Sequence, residues 1–142
     1  MEIGGTSCDA LLMHRGVVAV SDEIKIEGYP LALPSVDIHT IGAGGGTIAG
    51  VDSAGLLFVG PRGAGANPGP ACYGLGGNEP TVTDALLVLG RLKPGPYAGG
   101  AVSLDESRAK TAVTGGVAAM LGIDLDAAAS GIIRLLEQNL LH

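Results

Sequence analysis

Apolar and polar positions change their spacing partway along this chain of 142 residues. Over residues 1–60 the apolar runs are short and bounded by turn residues, the pattern of strands. Residues 10–13 and 17–20 are two such runs, and His14, Arg15 and Gly16 between them predict a hairpin. Ile24, Ile26 and Tyr29 alternate with Lys25, Glu27 and Gly28, which predicts one half-exposed strand ended by Pro30. Residues 48–51 and 56–59 flank Asp52, Ser53, Ala54 and Gly55, a second hairpin signal. Residues 61–82 are crowded with Gly and Pro. Their Ala content, Cys72, Tyr73 and sparse charge predict an ordered loop packed on the protein.

From Thr83 the apolar period becomes helical. Thr83 reads as the N-cap of a helix over residues 84–89. Ser103 with Glu106 matches a capping box, and Asp105 is an equally good cap for the next helix. Asp124 caps a last helix whose Leu125, Ala129, Ile132, Ile133, Leu136 and Leu140 share one face. That face is still amphipathic at Leu140, Leu141 and His142, and only Met1, Glu2 and Ile3 precede the first glycine turn. Both ends therefore read as interrupted elements, and the chain as one domain-sized segment of a larger protein. Apolar surface near Ile3, Leu136 and Leu140 is expected to be left for other parts, with association into a homo-oligomer.

Composition narrows the function. Glycine supplies 25 of the 142 residues, Trp is absent and Phe occurs once, so Ala, Val, Leu and Ile must build the core. A formal net charge of −6, with no basic stripe, argues against nucleic acid and anionic membrane surfaces as partners. No apolar run approaches the length of a membrane span, and the N-terminus lacks the pattern of a secretory signal. Cys8 and Cys72 have no CxxC spacing and read as reduced thiols of a cytoplasmic protein.

Two glycine segments carry the candidate chemistry. Gly4 and Gly5 lead into Thr6, Ser7, Cys8 and Asp9. Backbone N–H groups of such a turn can converge on an anion, Thr6 and Ser7 add hydroxyl donors, and Asp9 suits a Mg²⁺-bound water. A tight hairpin with no ligand is the plain alternative. Gly42, Gly44, Gly45 and Gly46 form the second segment. It fits neither the dinucleotide fingerprint nor the P-loop pattern. It reads either as a lining for a nucleotide or reaction chamber, or as a sharp crossover between strands. Asp37 and His39 lie two apart, on one face of a strand with Thr40 turned away. They suit metal binding or proton transfer; the alternative is a buried His oriented by a carboxylate. Thr81, Thr83 and Asp84 read equally as catalytic groups or as a helix start. Cys72 reads as a packed thiol rather than a nucleophile.

The stretches IGGTSCD (residues 3–9), EGYPLALPSVDIHTIGAGGGTIA (27–49), VGPRGAGANPGPACYGLGGNEPTVTDALLVLGRL (59–92) and GIIRLLEQN (131–139) resemble the hydantoinase A / 5-oxoprolinase family. That family also includes ATP-binding subunits of acetone-type carboxylases. The chain departs from the family pattern at Glu2, Cys8 and Leu86. The resemblance implies an α/β fold, part of an actin-like (ribonuclease H-like) ATPase lobe. It also implies a longer protein with a preceding lobe that bears another phosphate loop, and a second, hydantoinase B-type subunit. ATP and Mg²⁺ are the implied cofactors, and a small cyclic amide such as 5-oxoproline or a hydantoin the implied substrate. On this basis Asp9, Asp37, His39 and Asp84 are candidate catalytic residues. Gly4, Gly5, Thr6, Ser7, Gly44, Gly45 and Gly46 are candidate nucleotide contacts. The isolated chain is expected to be inactive. A ketone-carboxylase subunit and a non-catalytic interaction module are the rival readings.

Overall fold

The computed structural model describes residues 1–141; His142, the end of the last helical pattern, lies outside the described residues. Strands fill the first half. β1 (Glu2–Ile3), β2 (Cys8–Leu11), β3 (Met13–His14), β4 (Val17–Val18), β5 (Val20–Ser21), β6 (Ile24–Ile26), β7 (Tyr29–Leu31), β8 (Ser35–Val36) and β9 (Ile38–Ile41) follow one another in short hairpins. β1, β2 and β9 form a three-stranded antiparallel sheet in that order. Between β2 and β9 the chain runs out as a ribbon, pairing β3 with β4, β5 with β8, and β6 with β7.

The ribbon corrects one expectation. Pro30 does not end a strand; it lies within β7, opposite Lys25. Glu27 and Gly28 both take positive φ, the geometry of a tight hairpin turn, so the alternating residues fold back on themselves. A two-strand ribbon has outer edges where a missing proline N–H costs nothing.

β10 (Thr47–Val51) and β11 (Leu57–Gly63) form the predicted second hairpin, and β11 runs slightly into the Gly/Pro region. The Asp52 carboxylate closes its turn, accepting from Ala54 and Leu56 N–H groups at 2.9 Å each. The rest of the Gly/Pro loop is ordered, with a 3₁₀ turn at Ala71–Tyr73 that buries Ala71 and Cys72.

Helices fill most of the second half: α1 (Val82–Val88), α2 (Glu106–Val113), α3 (Ala119–Leu121) and α4 (Leu125–Asn139). A small hairpin of β12 (Gly95–Tyr97) and β13 (Val102–Leu104), which the pattern did not predict, precedes α2. Thr81, not Thr83, caps α1: its hydroxyl accepts from the Asp84 N–H, and Asp84 reaches back to the Thr81 N–H. The helix therefore starts two residues early, because Asp84 can complete that reciprocal pair only as its third residue. Asp105 caps α2 and Asp124 caps α4. α2 passes through a π-helical turn, Thr114–Ala118, into α3.

Ala128, Ala129, Ile132, Ile133 and Leu136 of α4 pack in one core with Val82 and Ala85 of α1 and with the β10–β11 hairpin. Each large aliphatic side chain there contributes roughly 2 kcal/mol. Leu136, expected near an open surface, is buried, and Leu140 is half-buried against the same core; Ile3 is exposed as expected. The exposed apolar side chains gather on the ribbon instead, including Leu12, Met13, Val17 and Tyr29. Among the described residues no single helix is long and apolar enough to cross a membrane.

Candidate functional site

Side chains alternate across the β1–β2–β9 sheet, so the register sorts them into rows. Glu2, Asp9 and Thr40 face one way; Ile3, Cys8 and Ile41 face the other, with Cys8 buried. The Thr40 hydroxyl donates to Asp9 Oδ1 at 2.6 Å, which fixes one carboxylate oxygen and leaves the other available. The first glycine turn joins β1 to β2. Its only cross-turn backbone bond runs from the Gly4 N–H to the Ser7 carbonyl at 2.8 Å, and no described backbone group accepts from the N–H of Gly5 or Thr6. Gly4, Gly5 and Thr6 are exposed and Ser7 is half-buried.

The second glycine segment lies directly behind this turn. Gly45 and Gly46 donate their N–H groups to the Gly4 and Gly5 carbonyls, at 2.9 and 2.6 Å. So close an approach of two backbones leaves no room for side chains. A Cβ at Gly44 would stand 2.6 Å from the Gly4 carbonyl oxygen, and one at Gly46 would stand 2.9 Å from that of Gly5. At Gly45 it would meet the Thr83 hydroxyl at 2.7 Å. Gly5 is different. A Cβ there would meet no protein atom within 4 Å, and its φ is ordinary. Among the described residues nothing excludes a side chain at that position.

Thr83 carries the support one layer further back. Its N–H and its hydroxyl both donate to the Gly45 carbonyl at 2.8 Å, which ties the glycine segment to α1. α1 is held in turn by Asp84, which is fully buried. The Asp84 carboxylate accepts from the Thr81 N–H and hydroxyl at 2.9 and 2.8 Å, and from the N–H groups of Cys72 and Ala71 at 2.8 and 3.3 Å. One side chain thus fastens the PGPACYG turn to the start of α1. With every such contact made to protein and no exposed atom, its surroundings are those of an anchor. Cys72 beside it is also fully buried. Burial, and then the Asp84 charge, push its thiol far above the ordinary range, so it is held as a neutral, packed thiol.

Asp37 and His39 stand apart from this assembly. His39 pairs across the ladder with Ala10, which puts it on the sheet face opposite to Asp9 and Thr40. Its Nε2 is 3.8 Å from Asp37 Oδ1, and the two side chains are 79% and 53% exposed. The alternative of a buried, carboxylate-oriented histidine is not what forms, because the ribbon leaves this edge in solvent. No group of three or more metal-ligating side chains assembles among the described residues.

Beside the first turn lies a groove of 550 Å³. Gly4, Gly5, Gly45 and Thr83 line one end of it, and side chains of α1, α4 and the β12–β13 hairpin line the rest. Pattern reading missed Thr40 and the bracing part of Thr83. Thr40 could have been paired with Asp9 only by knowing the β2–β9 register, which residues 12–37 of intervening ribbon conceal.

The sequence model of the hydantoinase/oxoprolinase family matches residues 1–142. The chain is 46% identical over 140 residues to the caprolactamase subunit alpha of Pseudomonas jessenii, covering 99% of this chain and 20% of that one. It is 41% identical over 141 residues to the acetophenone carboxylase gamma subunit of Aromatoleum aromaticum, covering 98% of this chain and 19% of the other. The crystal structure of the ATP-dependent caprolactamase superimposes with a TM-score of 0.84 over 98% of the chain and 20% of that protein. A nucleotide-free acetone carboxylase structure, from a study of ATP-dependent acetone carboxylation, gives 0.81 at 34% identity, with the same coverage. The chain thus spans about a fifth of the length of these relatives, whose α/β fold it shares over that span.

Proposed function

The chain belongs to the hydantoinase/oxoprolinase family, and we propose that it supplies one wall of the phosphate site of an ATP-dependent enzyme that opens a cyclic amide. The observation that carries this reading is Gly5. A side chain is left out where no protein atom excludes it, at the tip of a turn whose N–H groups at Gly5 and Thr6 have no backbone acceptor. An anion accounts for both features.

In this reading the N–H groups of Gly5 and Thr6 and the hydroxyls of Thr6 and Ser7 donate to phosphate oxygens. Gly44, Gly45 and Gly46 hold the turn from behind, and Gly45 also borders the ligand space. Asp9, with one oxygen kept by Thr40, offers the other to a Mg²⁺-bound water, and Glu2 stands opposite it in the ladder. When bound, ATP supplies a phosphoryl group that can turn an unreactive amide oxygen into a leaving group. Asp84 acts through α1 and Thr83 as a positioning residue. His39, on the sheet face opposite to Asp9 and Thr40, and its neighbour Asp37 take no part in this reading. The cytoplasm suits Cys8 and Cys72, which remain thiols.

A phosphoryl group in transfer needs donors on more than one side. The second wall comes from the rest of a longer protein. A hydantoinase B-type partner subunit and a second copy are the surfaces that cover the apolar ribbon. Alone, the chain is expected to show no turnover. The amide substrate is favoured by the caprolactamase similarity at 46% identity. The ketone-carboxylase reading rests on the 41% similarity to the acetophenone carboxylase subunit. The test is a chimera in which this chain replaces the matching segment of the caprolactamase subunit. It should retain ATP-dependent lactam opening and lose it with Asp9→Ala. Retained ATP-dependent turnover in the Asp9→Ala chimera would refute the assignment of that residue.

A further inference from the structure

β10 has one edge bonded to β11 and another that is only partly used. Gly50 stands opposite Phe58, and the Asp52 N–H donates to the Leu56 carbonyl at 2.9 Å, so Gly50 and Asp52 bond towards β11. Antiparallel alternation turns the N–H and carbonyl of Ala49 and Val51 to the outer edge. There the Ala49 N–H donates to the Pro80 carbonyl at 2.8 Å, but a proline has no N–H to give in return. The outer pairing is confined to a single bridge, Ile48 with Thr81. Among the described residues no backbone group then pairs with the Ala49 carbonyl or the Val51 N–H.

A groove of 660 Å³ lies along this open edge. Residues 77–80 border it, and α2 with its π-helical turn and Met120 form another wall. Phe58 and the exposed Met120 make part of it apolar. Its charged residues are already paired, Glu79 with Arg62 at 2.6 Å and Arg108 with Asp105 at 3.4 Å. Two helical glycines also line it. A Cβ at Gly116 would stand 2.7 Å from the Pro80 ring, so packing explains that glycine. A Cβ at Gly115 would meet nothing within 4 Å, and the position is exposed, where alanine would serve a helix better. The missing side chain widens the groove.

We propose that the groove receives an extended, uncharged segment from another part of the longer polypeptide, which joins the open edge of β10 as a third strand. Its main chain donates to the Ala49 carbonyl and accepts from the Val51 N–H, the bonds by which a strand is added to a sheet edge. An apolar side chain of the segment packs on Phe58 and Met120, and its backbone passes close to Gly115. The occupant is the same polypeptide because this fold, matched over 98% of the chain, is 20% of the chain in each of two solved relatives. A tethered segment meets the edge at high effective concentration, which a few main-chain bonds on a short edge require. The inference rests on the chain working within a longer protein and is independent of the phosphate reading of the first turn.

The caprolactamase chimera and the isolated chain test this together. A photoreactive benzophenone side chain in place of Met120 of the chimera should, on irradiation, crosslink to a stretch of the same polypeptide outside the grafted segment, mapped by mass spectrometry. A crosslink to another subunit, or none, would overturn the assignment. The Val51 amide should exchange hydrogen at least about tenfold more slowly in the chimera than in the isolated chain. Equal rates would mean that the edge stays free. Gly115→Leu should leave the melting temperature of the isolated chain unchanged or raise it, and should lower that of the chimera. A rise in both would show that nothing enters the groove. None of these readouts depends on Asp9 or on nucleotide, so loss of lactam opening in the Asp9→Ala chimera is a separate result.

Discussion

At residues 44–46 every added Cβ would strike another group, at 2.6 to 2.9 Å, whereas at Gly5 it would strike nothing within 4 Å. These two glycine segments touch each other and share a composition, yet glycine answers a different demand in each. In the second segment the demand comes from inside the fold, where two backbones and a threonine hydroxyl meet. At Gly5 no such demand comes from inside, and the proposed phosphate site assigns it to the ligand that approaches the turn. A glycine-rich stretch is therefore not one kind of signal. The distinction lies in what the absent side chain would have touched, and each half of it can be tested.

The largest effect is expected behind the second segment. Asp84→Ala strands four donors around a buried site, at about 1 kcal/mol or more each. Urea unfolding should show a loss of about 4 kcal/mol. A loss below about 1 kcal/mol would mean that α1, and the glycine segment tied to it, do not depend on this anchor. Gly44→Ala should come next. Its Cβ meets a carbonyl oxygen that cannot rotate away, an overpacking strain of about 1–3 kcal/mol. A stable Gly44→Ala variant with weakened ATP binding would move that glycine to the ligand side of the comparison.

Gly5→Val should invert the pattern. ATP affinity, measured by calorimetric titration, should fall at least about tenfold, or ~1.4 kcal/mol. Stability measured without nucleotide should change by no more than about 0.5 kcal/mol, as at other open positions. If stability falls instead and ATP affinity per folded molecule is kept, both turns are structural. Thr40→Ala removes the bond that holds one Asp9 oxygen. It should cost about 1 kcal/mol or less and weaken Mg²⁺-ATP more than ATP without metal. Equal weakening of the two would detach Asp9 from the metal. Smallest of all is the double change Asp37→Ala with His39→Ala. It should alter stability by less than about 0.5 kcal/mol and leave the ATP titration unchanged, marking the limit of the site on the sheet.

Local pattern alone carried much of the architecture. The hairpin over Asp52 to Gly55, the caps at Asp105 and Asp124 and the apolar face of α4 were legible because each is set by residues within a few positions of one another. The glycine turn with Thr6, Ser7 and Asp9 was legible for the same reason, as a short run of donors and a carboxylate. The start of α1 was misplaced because Thr81 and Thr83 are both good caps, and only the reach of Asp84 chooses between them. Pro30 was misread because an alternating run looks alike whether it continues or folds back, and the positive φ of Glu27 decides the matter.

What tertiary structure alone decided is which of these pieces belong together. Composition could not tell Gly5 from Gly44, because the difference is the presence or absence of an atom from a segment some forty residues away. Nor could spacing show that Asp9 meets Thr40 rather than His39, since one residue of register moves a side chain to the other face of a sheet. The sequence determined the turns, the caps and the apolar faces, whose energies are local. The site depends on contacts between distant segments, and these exist only once the chain has closed on itself.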